Sequence, residues 1–344
     1  MNFSIFTGIE TLPRQEWRDF IRLHPGQTVF QSPEMFDLYR VADHYEPIVL
    51  SARDTESNIL AVLLAVHLRD YKGMAGRLTS RVVVQGGPLI RPGLPNSKQI
   101  VTKLLGKLVS LTREKSVFIQ FRNFCDMSEY SDSFQAHSFL FHSHLNLIIP
   151  TVNAVETIRG ISKRKMHQVR QSLHAGAQLS IASSPDEISQ FYQILKKVYH
   201  SKVKKPLAPE SLFQGFLEAS LHGNLGFILL VKYEQRVIGG MVCPLTAGKS
   251  LTEWYICGLD KEYKHIHPSV LVTYGAIQYA LDNNIPTFDF LGIGRPEKPY
   301  GVRDFKLHFG GDVVNYGRYE RINRPVLYAL MKRVLAVMGW MKLV

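Results

Sequence analysis

The two halves of this 344-residue chain carry the same order of predicted secondary structure. In the first half, two short helices within 11–24 and 32–43 precede the strands "PIVLSARD" and "NILAVLLAVHLRD", a helix within 96–115 and the strand "SVFIQFR". In the second half, helices precede a meander of three strands, then the helix "PSVLVTYGAIQYALDNN" and the strand "TFDFLG". The repeated order predicts two mixed α/β domains related at the level of fold, with a boundary near residue 150.

Composition agrees with two domains and separates the halves by charge. Hydrophobic residues make up 45% of the chain, which is enough for two cores. Residues 1–150 hold 16 Lys+Arg against 14 Asp+Glu, a balance of +2, and residues 151–344 hold 25 against 15, a balance of +10. The second half is therefore expected to meet an anionic partner.

Three separated cysteines, Cys125, Cys243 and Cys257, argue against a disulfide scaffold and favour a reducing compartment. The N-terminal "MNFSIFTGIETLP" does not resemble a secretory signal, and no apolar run is long enough to span a bilayer. We expect a location in the cytoplasm, either free or at the inner face of the membrane.

The stretch "FDFLGIGRPEKPYGVRDFKLHFGG", residues 288–311, has the spacing of neither common phosphate loop. A dinucleotide-binding loop needs G-x-G-x-x-G, and Glu297 stands where the third glycine belongs, after Gly292 and Gly294. The G-x-x-x-x-G-K-[ST] loop does not occur anywhere in the sequence. Pro296 and Pro299 also lack the backbone N–H groups that a phosphate would use. A nucleotide-binding loop is therefore not predicted here.

The same stretch predicts a strand that ends near Asp289, a turn and a short helix within "YGVRDFKLHFG". Phe305 and Phe309 are four residues apart and share a face of this helix, so that Lys306 points elsewhere. A lysine beside an apolar anchor, near the C-terminal end of a strand, lies where open α/β sheets bind ligands. From spacing alone, a solvated lysine on an amphipathic helix is the alternative.

Three segments resemble the Fem-type aminoacyltransferases. Residues 288–311 are similar to the family's C-terminal signature, a "D-F-x-G" strand end followed by "G-x-x-x-F-K-x-x-F-G-G". The segment "FQSPEM" resembles the N-terminal "Q-S-x-x-W" motif, with Met35 in place of tryptophan. The basic segment "ISKRKMHQVRQSLHAGAQL", which overlaps a helix predicted over 155–175, resembles the "R-x-x-I-x-x-A-x-x-x-G" helix. The resemblance spans about 30 to 311.

The resemblance implies two tandem GNAT-like acyltransferase domains, over 1–150 and 151–323, followed by a C-terminal amphipathic helix over 324–344. It implies transfer of an aminoacyl group from aminoacyl-tRNA to an amine of a cell-wall precursor, without a tightly bound cofactor. Two alternatives stay open: an acyl-CoA-dependent N-acyltransferase of surface polysaccharide or lipid modification, and a non-catalytic GNAT-like binding module. No histidine pair has metal-ligand spacing with a third ligand, so no metal site is expected.

Transfer of an ester-linked acyl group to an amine passes through a tetrahedral oxyanion, which a positively charged donor stabilises. The resemblance places Lys306 in this role. The attacking ammonium must also lose a proton to a base, for which Glu253 and Asp289 are candidates. A structural partner for an arginine is the other interpretation of these two carboxylates. Three histidines are further candidates for the base: His265, His267 and His308.

The turn "LDKEYKHIHPSVL" stands where ordinary GNAT enzymes carry a glycine-rich turn that binds the CoA pyrophosphate. It contains no glycine, which weakens CoA as the donor, although the N-terminus of the following helix still attracts phosphate. The expected donor-binding residues are Lys261, Lys264, His267, Ser269 and Tyr255.

A nucleotide- or lipid-linked acceptor carries phosphates, which need basic side chains from both domains. The resemblance assigns these to Arg40 and to the run "KVKK" with Lys202, Lys204 and Lys205, for which a solvated turn is the alternative. The tail "RPVLYALMKRVLAVMGWMKLV" is too interrupted by charge to span a bilayer. It predicts either a helix docked on the protein or a peripheral membrane contact with snorkelling cations.

Overall fold

The computed structural model describes residues 2–70, 73–223 and 225–337. They form two compact units, unit 1 over 1–143 and 316–344 and unit 2 over 144–315. The strands are β1 (Phe3–Thr7), β2 (Tyr45–Asp54), β3 (Ile59–Leu68), β4 (Arg81–Gln85), β5 (Leu89–Ile90), β6 (Phe118–Arg122), β7 (Leu140–His142), β8 (Leu145–Pro150), β9 (Gln178–Ile181), β10 (Gly226–Tyr233), β11 (Arg236–Thr246), β12 (Ser250–Thr252), β13 (Tyr255–Gly258), β14 (Thr287–Gly294), β15 (Asp312–Val314) and β16 (Arg318–Ile322).

The helices are α1 (Arg14–Leu23), α2 (Pro33–Val41), α3 (Gly73–Thr79), α4 (Ser97–Thr112), α5 (Ser131–Gln135), α6 (Ala154–Gly160), α7 (Lys163–His174), α8 (Pro185–Val198), α9 (Glu210–Leu221), α10 (Pro268–Asp282), α11 (Gly301–Leu307) and α12 (Pro325–Val337). A single π-helical turn, Tyr199–Val203, follows α8.

Unit 1 is built on a sheet in the order β1-β2-β3-β4-β6-β16-β7, with β5 paired to β3. The pairs are antiparallel except β4 with β6, which run parallel and are joined through α4. Helix α4 buries Ile100, Leu104 and Leu108 against the sheet, which is the helical spacing that its sequence predicts. Ser32 caps α2 by accepting the Met35 N–H at 3.1 Å, as its position before Pro33 predicts.

Unit 2 repeats this topology. Its sheet runs β15-β8-β14-β12-β11-β10-β9, with β13 paired to β11. Strands β10, β11 and β12 form the meander, α10 crosses over, and β14 returns parallel to β12. The tandem duplication predicted from element order is therefore present in both units, and the mixed α/β class is confirmed.

The division between the units differs from the predicted domain limits. It falls after Ser143 rather than near 150, and residues 316–323 belong to unit 1 instead of the second domain. The reason is backbone pairing: β16 is hydrogen-bonded to β6, with Tyr319 opposite Phe121, and also to β7. Helix α12 packs on the same unit, and the remainder of the predicted tail, 338–344, lies outside the described residues.

Two predicted elements are divided in the structure. The basic helix predicted over 155–175 is broken into α6 and α7 at Ile161, because Ser162 leaves the helix and its hydroxyl caps α7 by accepting the Lys165 N–H. The predicted strand "SLTEWYICGL" is broken into β12 and β13 at Glu253. This second break creates the site described next.

Candidate active site

The site lies in unit 2 where two parallel strands part. The pairing of β12 with β14 ends at Thr252 opposite Asp289, and β13 then continues on β11 alone. The Glu253 N–H donates to the Asp289 carbonyl at 2.9 Å, and the next N–H, of Trp254, turns to the Val242 carbonyl at 3.0 Å. The two strands therefore diverge immediately after Glu253 and Asp289.

Helix α11 places Lys306 in this opening. Its Nζ lies 2.8 Å from Glu253 Oε1 and donates to the Phe290 carbonyl at 2.7 Å. Lys306 is 6% exposed and Glu253 4% exposed, so this is a buried ion pair. The alternative of a solvated lysine is therefore wrong. The rings of Phe305 and Phe309 are neighbours as predicted, with centroids 5.4 Å apart, although α11 ends at Leu307, before Phe309.

Glu253 keeps one oxygen free within the described part of the chain. Its Oε2 is buried and has no hydrogen-bond partner there. Burial raises the pKa of Glu253, and the charge and hydrogen bond of Lys306 only partly oppose this rise. The carboxylate is therefore held by one oxygen and able to accept a proton at the other.

Asp289 is the last residue of β14 that pairs with β12, and it lies near the Lys306–Glu253 ion pair. Its Oδ1 accepts the Leu291 N–H at 2.6 Å, and Leu291 has a left-handed φ of 54°. Burial of the carboxyl raises the pKa of Asp289 to about 6, against the opposing hydrogen bond from Leu291. The three predicted catalytic residues thus lie together, although they come from the break after β12, from β14 and from α11.

The loop before α11 is organised around Arg303. Its guanidinium donates to the Ile293 carbonyl at 3.0 Å and to the Arg295 carbonyl. Arg303 therefore ties the loop to the end of β14 through these two carbonyl oxygens.

The N-terminus of α10 already holds a carboxylate. Asp260 Oδ1 accepts the Ser269 N–H at 3.0 Å, and its Oδ2 accepts the Ser269 hydroxyl at 2.7 Å. Gly258 allows the turn to pass this closely, because a Cβ there would lie 2.5 Å from Ser269 Oγ. The backbone donor that an anionic ligand would meet is therefore occupied by the protein's own side chain.

The other predicted donor-binding residues surround this turn. Lys261 and Lys264 are exposed. His267 has a left-handed φ of 48°, and burial lowers its pKa, with Asp260 opposing and Lys165 adding to the effect. Tyr255 belongs to an aromatic wall, with its ring 5.0 Å from that of Phe213.

Sequence reasoning missed two residues of this region, Asp260 and Lys165. Lys165 is 8% exposed, and its Nζ lies 4.2 Å from the centre of the Phe305 ring, without a carboxylate partner among the described residues. Burial lowers the pKa of Lys165, and Arg164 lowers it further. Lys165 is four positions before Val169, which lies on the buried face of α7. This spacing is the sequence signal that distinguishes Lys165 from its solvated neighbours. No local pattern signals Asp260.

The residues predicted to bind acceptor phosphates are mostly exposed. Arg40 lies exposed near the end of α2 in unit 1. Lys202 lies in the π-helical turn of unit 2, with Nζ 4.0 Å from Asp260 Oδ2, and Lys204 follows in a left-handed conformation. The structure therefore brings Lys202 to the predicted donor-binding turn. Lys205 is half-buried beside them.

The motif residue Gln31 has a structural role. Its side-chain amide donates to the Leu64 and Gln85 carbonyls at 3.0 and 2.9 Å, and its Oε1 accepts the Leu64 N–H at 2.7 Å. It is fully buried and links β3 to β4. The "FQSPEM" segment therefore supports the sheet of unit 1.

In the described residues, no three acidic, histidine or cysteine side chains come close enough to hold a metal ion. None of the helices described has the length and apolar character needed to cross a bilayer.

Comparison with known proteins places this site in a known fold. Residues 159–306 match the family model described as an acetyltransferase (GNAT) domain. The structure of FemX is similar over 96% of this chain and 99% of its own, with a TM-score of 0.68 at 14% identity. Curated protein sequences give no significant match.

Two further structures share the architecture. The C-terminal DUF2156 domain of a putative lysylphosphatidylglycerol synthetase from Agrobacterium fabrum has a TM-score of 0.59 at 10% identity, covering 93% of this chain and 95% of that one. A tandem GNAT protein from the clavulanic acid biosynthesis pathway has a TM-score of 0.58 at 9% identity, covering 94% and 99%. At identities this low, the structural similarity shows that the chain has a tandem GNAT fold and shows nothing further.

Proposed function

Since the chain is an acyltransferase with a Fem-like tandem GNAT fold, we propose that it transfers an aminoacyl group from aminoacyl-tRNA to an amine of a cell-envelope precursor. The acyl-transfer centre is assigned to the opening between β12 and β14, with Lys306, Glu253 and Asp289. The proposed reaction takes place in the cytoplasm, where aminoacyl-tRNA is available.

One observation carries the choice of donor. Asp260 occupies the N-terminus of α10, where a GNAT enzyme would place the pyrophosphate of CoA. A carboxylate fixed there by Ser269 repels a pyrophosphate and withholds its backbone donor. The ester of an aminoacyl-tRNA has no pyrophosphate that must bind at the N-terminus of α10. The Asp260 carboxylate therefore obstructs only the thioester donor, CoA.

The roles of the side chains follow from their contacts. An ammonium has three N–H donors, and the Lys306 contacts with Glu253 and Phe290 use two. The third is assigned to the oxyanion that forms when the amine nitrogen attacks the ester carbonyl carbon. Glu253 Oε2 takes a proton from the attacking ammonium. When the C–O bond breaks, the ribose oxygen of tRNA leaves with the proton that the new amide nitrogen loses.

The acceptor is proposed to carry phosphate, on a nucleotide or a lipid. Arg40, Lys202, Lys204 and Lys205 remain the residues assigned to it, and the half-buried or exposed placement of these cations supports this role. Lys261, Lys264, His267, Ser269 and Tyr255 remain assigned to the donor. Ser269 can bind the donor only after the Asp260 carboxylate has been displaced from it.

The donor is tested by thermal unfolding of the pure protein with aminoacyl-tRNA, uncharged tRNA or acetyl-CoA. A ligand at one hundred times its Kd stabilises the folded state by about 2.7 kcal/mol. We expect a rise in Tm with aminoacyl-tRNA that is larger than with uncharged tRNA, and none with acetyl-CoA. Stabilisation by acetyl-CoA alone contradicts the proposal.

An acyl-CoA-dependent N-acyltransferase is the second candidate, since the matching family model is described as an acetyltransferase domain. It predicts incorporation of radiolabelled acetyl from acetyl-CoA into an amino sugar. The buried Lys306–Glu253 pair argues against a non-catalytic binding module, because such a module needs no buried charge at the strand opening.

A further inference from the structure

A cavity is present in unit 1, and none of its lining residues belongs to the acyl-transfer centre assigned to unit 2. It has a volume of about 440 Å³ and opens at the end of the sheet where β2, β4 and β6 begin. Nine residues line it: Glu46, His67, Arg69, Arg77, Ser80, Glu114, Lys115, Ser116 and Arg324. The proposed function assigns no role to any of them.

The floor of the cavity is fixed by a chain of hydrogen bonds. His67 Nε2 lies 2.7 Å from Ser80 Oγ and its Nδ1 lies 3.1 Å from Glu46 Oε2. Ser80 is 1% exposed and donates its hydroxyl proton to the Lys115 carbonyl at 2.6 Å. This serine is therefore a structural link in the wall and not an exposed nucleophile.

The lining carries an excess of positive charge. Its four basic side chains face two carboxylates, and both carboxylates are engaged, Glu46 by Arg69 and Glu114 by Arg324 at 3.6 Å. Burial alone would raise the pKa of Glu46, but the hydrogen bonds and charges of His67 and Arg69 outweigh it and lower that pKa, so the carboxylate stays ionised.

Two cations remain available in this lining. Within the described residues, the side chains of Arg77 and Lys115 have neither a carboxylate nor a hydrogen-bond partner. Arg69 adds a buried Nε without a partner there. The cavity therefore presents donors and positive charge to an anion of about the size of a phosphate ester.

Helix α12 begins directly after Arg324 and packs against α3, which carries Arg77. Its inner face buries Tyr328, Met331 and Leu335 against β6. Its outer face exposes three apolar side chains at a spacing of four: Val326 (81% exposed), Leu330 (45%) and Val334 (42%). We call these three residues the α12 stripe.

The α12 stripe has basic neighbours. Arg333 is exposed and lies three positions after Leu330, on the side of the stripe, whereas Lys332 Nζ lies 5.6 Å from the centre of the inner Tyr328 ring. Arg324 immediately precedes the helix and lines the cavity. An apolar row with arginine side chains beside it on a short helix is the pattern of an interfacial helix, which lies in the plane of a membrane surface. A second copy of this chain would bring positive charge against positive charge, whereas an anionic lipid surface is complementary.

We propose that the α12 stripe and the adjoining basic cavity form a docking site for an anionic phospholipid surface, in which the stripe enters the headgroup boundary and the cavity takes a lipid phosphate. Arg77 and Lys115 bind the phosphate, and the hydrogen-bonded side chains of His67 and Ser80 form the bottom of the phosphate site. This surface belongs to unit 1 and does not depend on which acyl donor unit 2 uses.

The test is flotation of the full-length protein with vesicles of phosphatidylcholine alone or of phosphatidylcholine mixed with phosphatidylglycerol. We expect binding to the mixed vesicles and weak binding to phosphatidylcholine. Arg77→Glu and Lys115→Glu each weaken binding by about fivefold or more, since one basic residue near the surface contributes about that factor. The triple variant V326S/L330S/V334S loses binding by more than about tenfold.

Matched controls separate this surface from general effects. Lys98→Glu on α4 changes the same charge, and Leu23→Ser on α1 removes an apolar side chain that is 77% exposed; both are expected to bind as the wild type does. All variants lie at exposed positions, and unchanged Tm values confirm that they fold.

Two results overturn the proposal: stripe variants that float like the wild type, or equal binding to both kinds of vesicle. A third is saturable binding of soluble glycerol phosphate in calorimetry, unaffected by the stripe variants, without vesicle binding. That result assigns the cavity to a soluble phosphate ester.

Discussion

Lys306 and Glu253 form an ion pair inside unit 2, with Nζ 2.8 Å from Oε1 and both side chains almost fully buried. Removing one partner of such a pair leaves an uncompensated buried charge, which costs about 3–5 kcal/mol of folding stability. Loss of activity in a single variant therefore combines a loss of chemistry with a loss of stability, and a double variant is needed to separate the two.

Lys306→Met is expected to lower kcat of acyl transfer by about 10²–10³, the usual effect of removing one oxyanion donor. The double variant Lys306→Met, Glu253→Gln removes the unpaired charge and is expected to regain most of the lost stability while remaining inactive. Steady-state kinetics and chemical denaturation on the same samples measure both quantities. Recovery of activity together with stability in the double variant would show that Lys306 acts only as a structural partner.

Asp260→Ala is expected to strengthen the binding of CoA. The substitution frees the Ser269 N–H and hydroxyl and removes a negative charge from the N-terminus of α10, so that binding of CoA tightens by about tenfold. Calorimetric titration with CoA measures the change. Asp260→Asn, which keeps the acceptor oxygen, is the matched control and should show a smaller gain. CoA affinity that is the same in all three proteins contradicts the role given to Asp260.

Asp289 makes stability depend on pH. Its pKa is about 6 in the folded protein, above the ordinary value of 3.8, so the folded state holds a proton that the unfolded chain releases. The stabilisation from this carboxyl is fully present below about pH 4 and is lost as pH rises through 6. Asp289→Asn should therefore raise Tm relative to the wild type at pH 8 and leave it nearly unchanged at pH 4. A difference that does not vary with pH rules out the raised pKa.

Gln31→Leu is expected to lower the free energy of unfolding by about 2–4 kcal/mol, because it leaves the buried Leu64 and Gln85 backbone groups without partners. Urea denaturation monitored by circular dichroism measures the loss. Gln15→Leu, at an exposed position of α1, is the control and should change stability by less than about 0.5 kcal/mol. Loss of catalysis in Gln31→Leu without loss of stability would instead give the residue a role in the reaction.

Regular elements were predictable from the sequence because their signals are local. The cap at Ser32, the apolar spacing of α4 and the alternation of meander and crossover in both halves depend on residues within one or two turns of each other. These signals fix the two-unit α/β architecture. They also predict that Phe305 and Phe309 lie together, and their ring centroids are 5.4 Å apart, although α11 ends at Leu307, before Phe309.

The remaining features depend on contacts between distant segments. The carboxylate of Asp260 meets the α10 N-terminus across a turn, and no spacing rule links it to Ser269. The break at Glu253 arises because β13 follows β11 while β14 leaves, which is a property of the whole sheet. The place of β16 beside β6 likewise depends on a pairing partner almost two hundred positions earlier in the chain.

That placement of β16 has a consequence for biosynthesis. Unit 2 is one continuous segment and holds all its strands once residue 315 has left the ribosome, whereas the sheet of unit 1 lacks a strand between β6 and β7 until Ile322 has emerged. Although unit 1 begins before unit 2 in this chain, it is therefore completed after unit 2, and its β6 edge stays open to incorrect pairing throughout synthesis of unit 2.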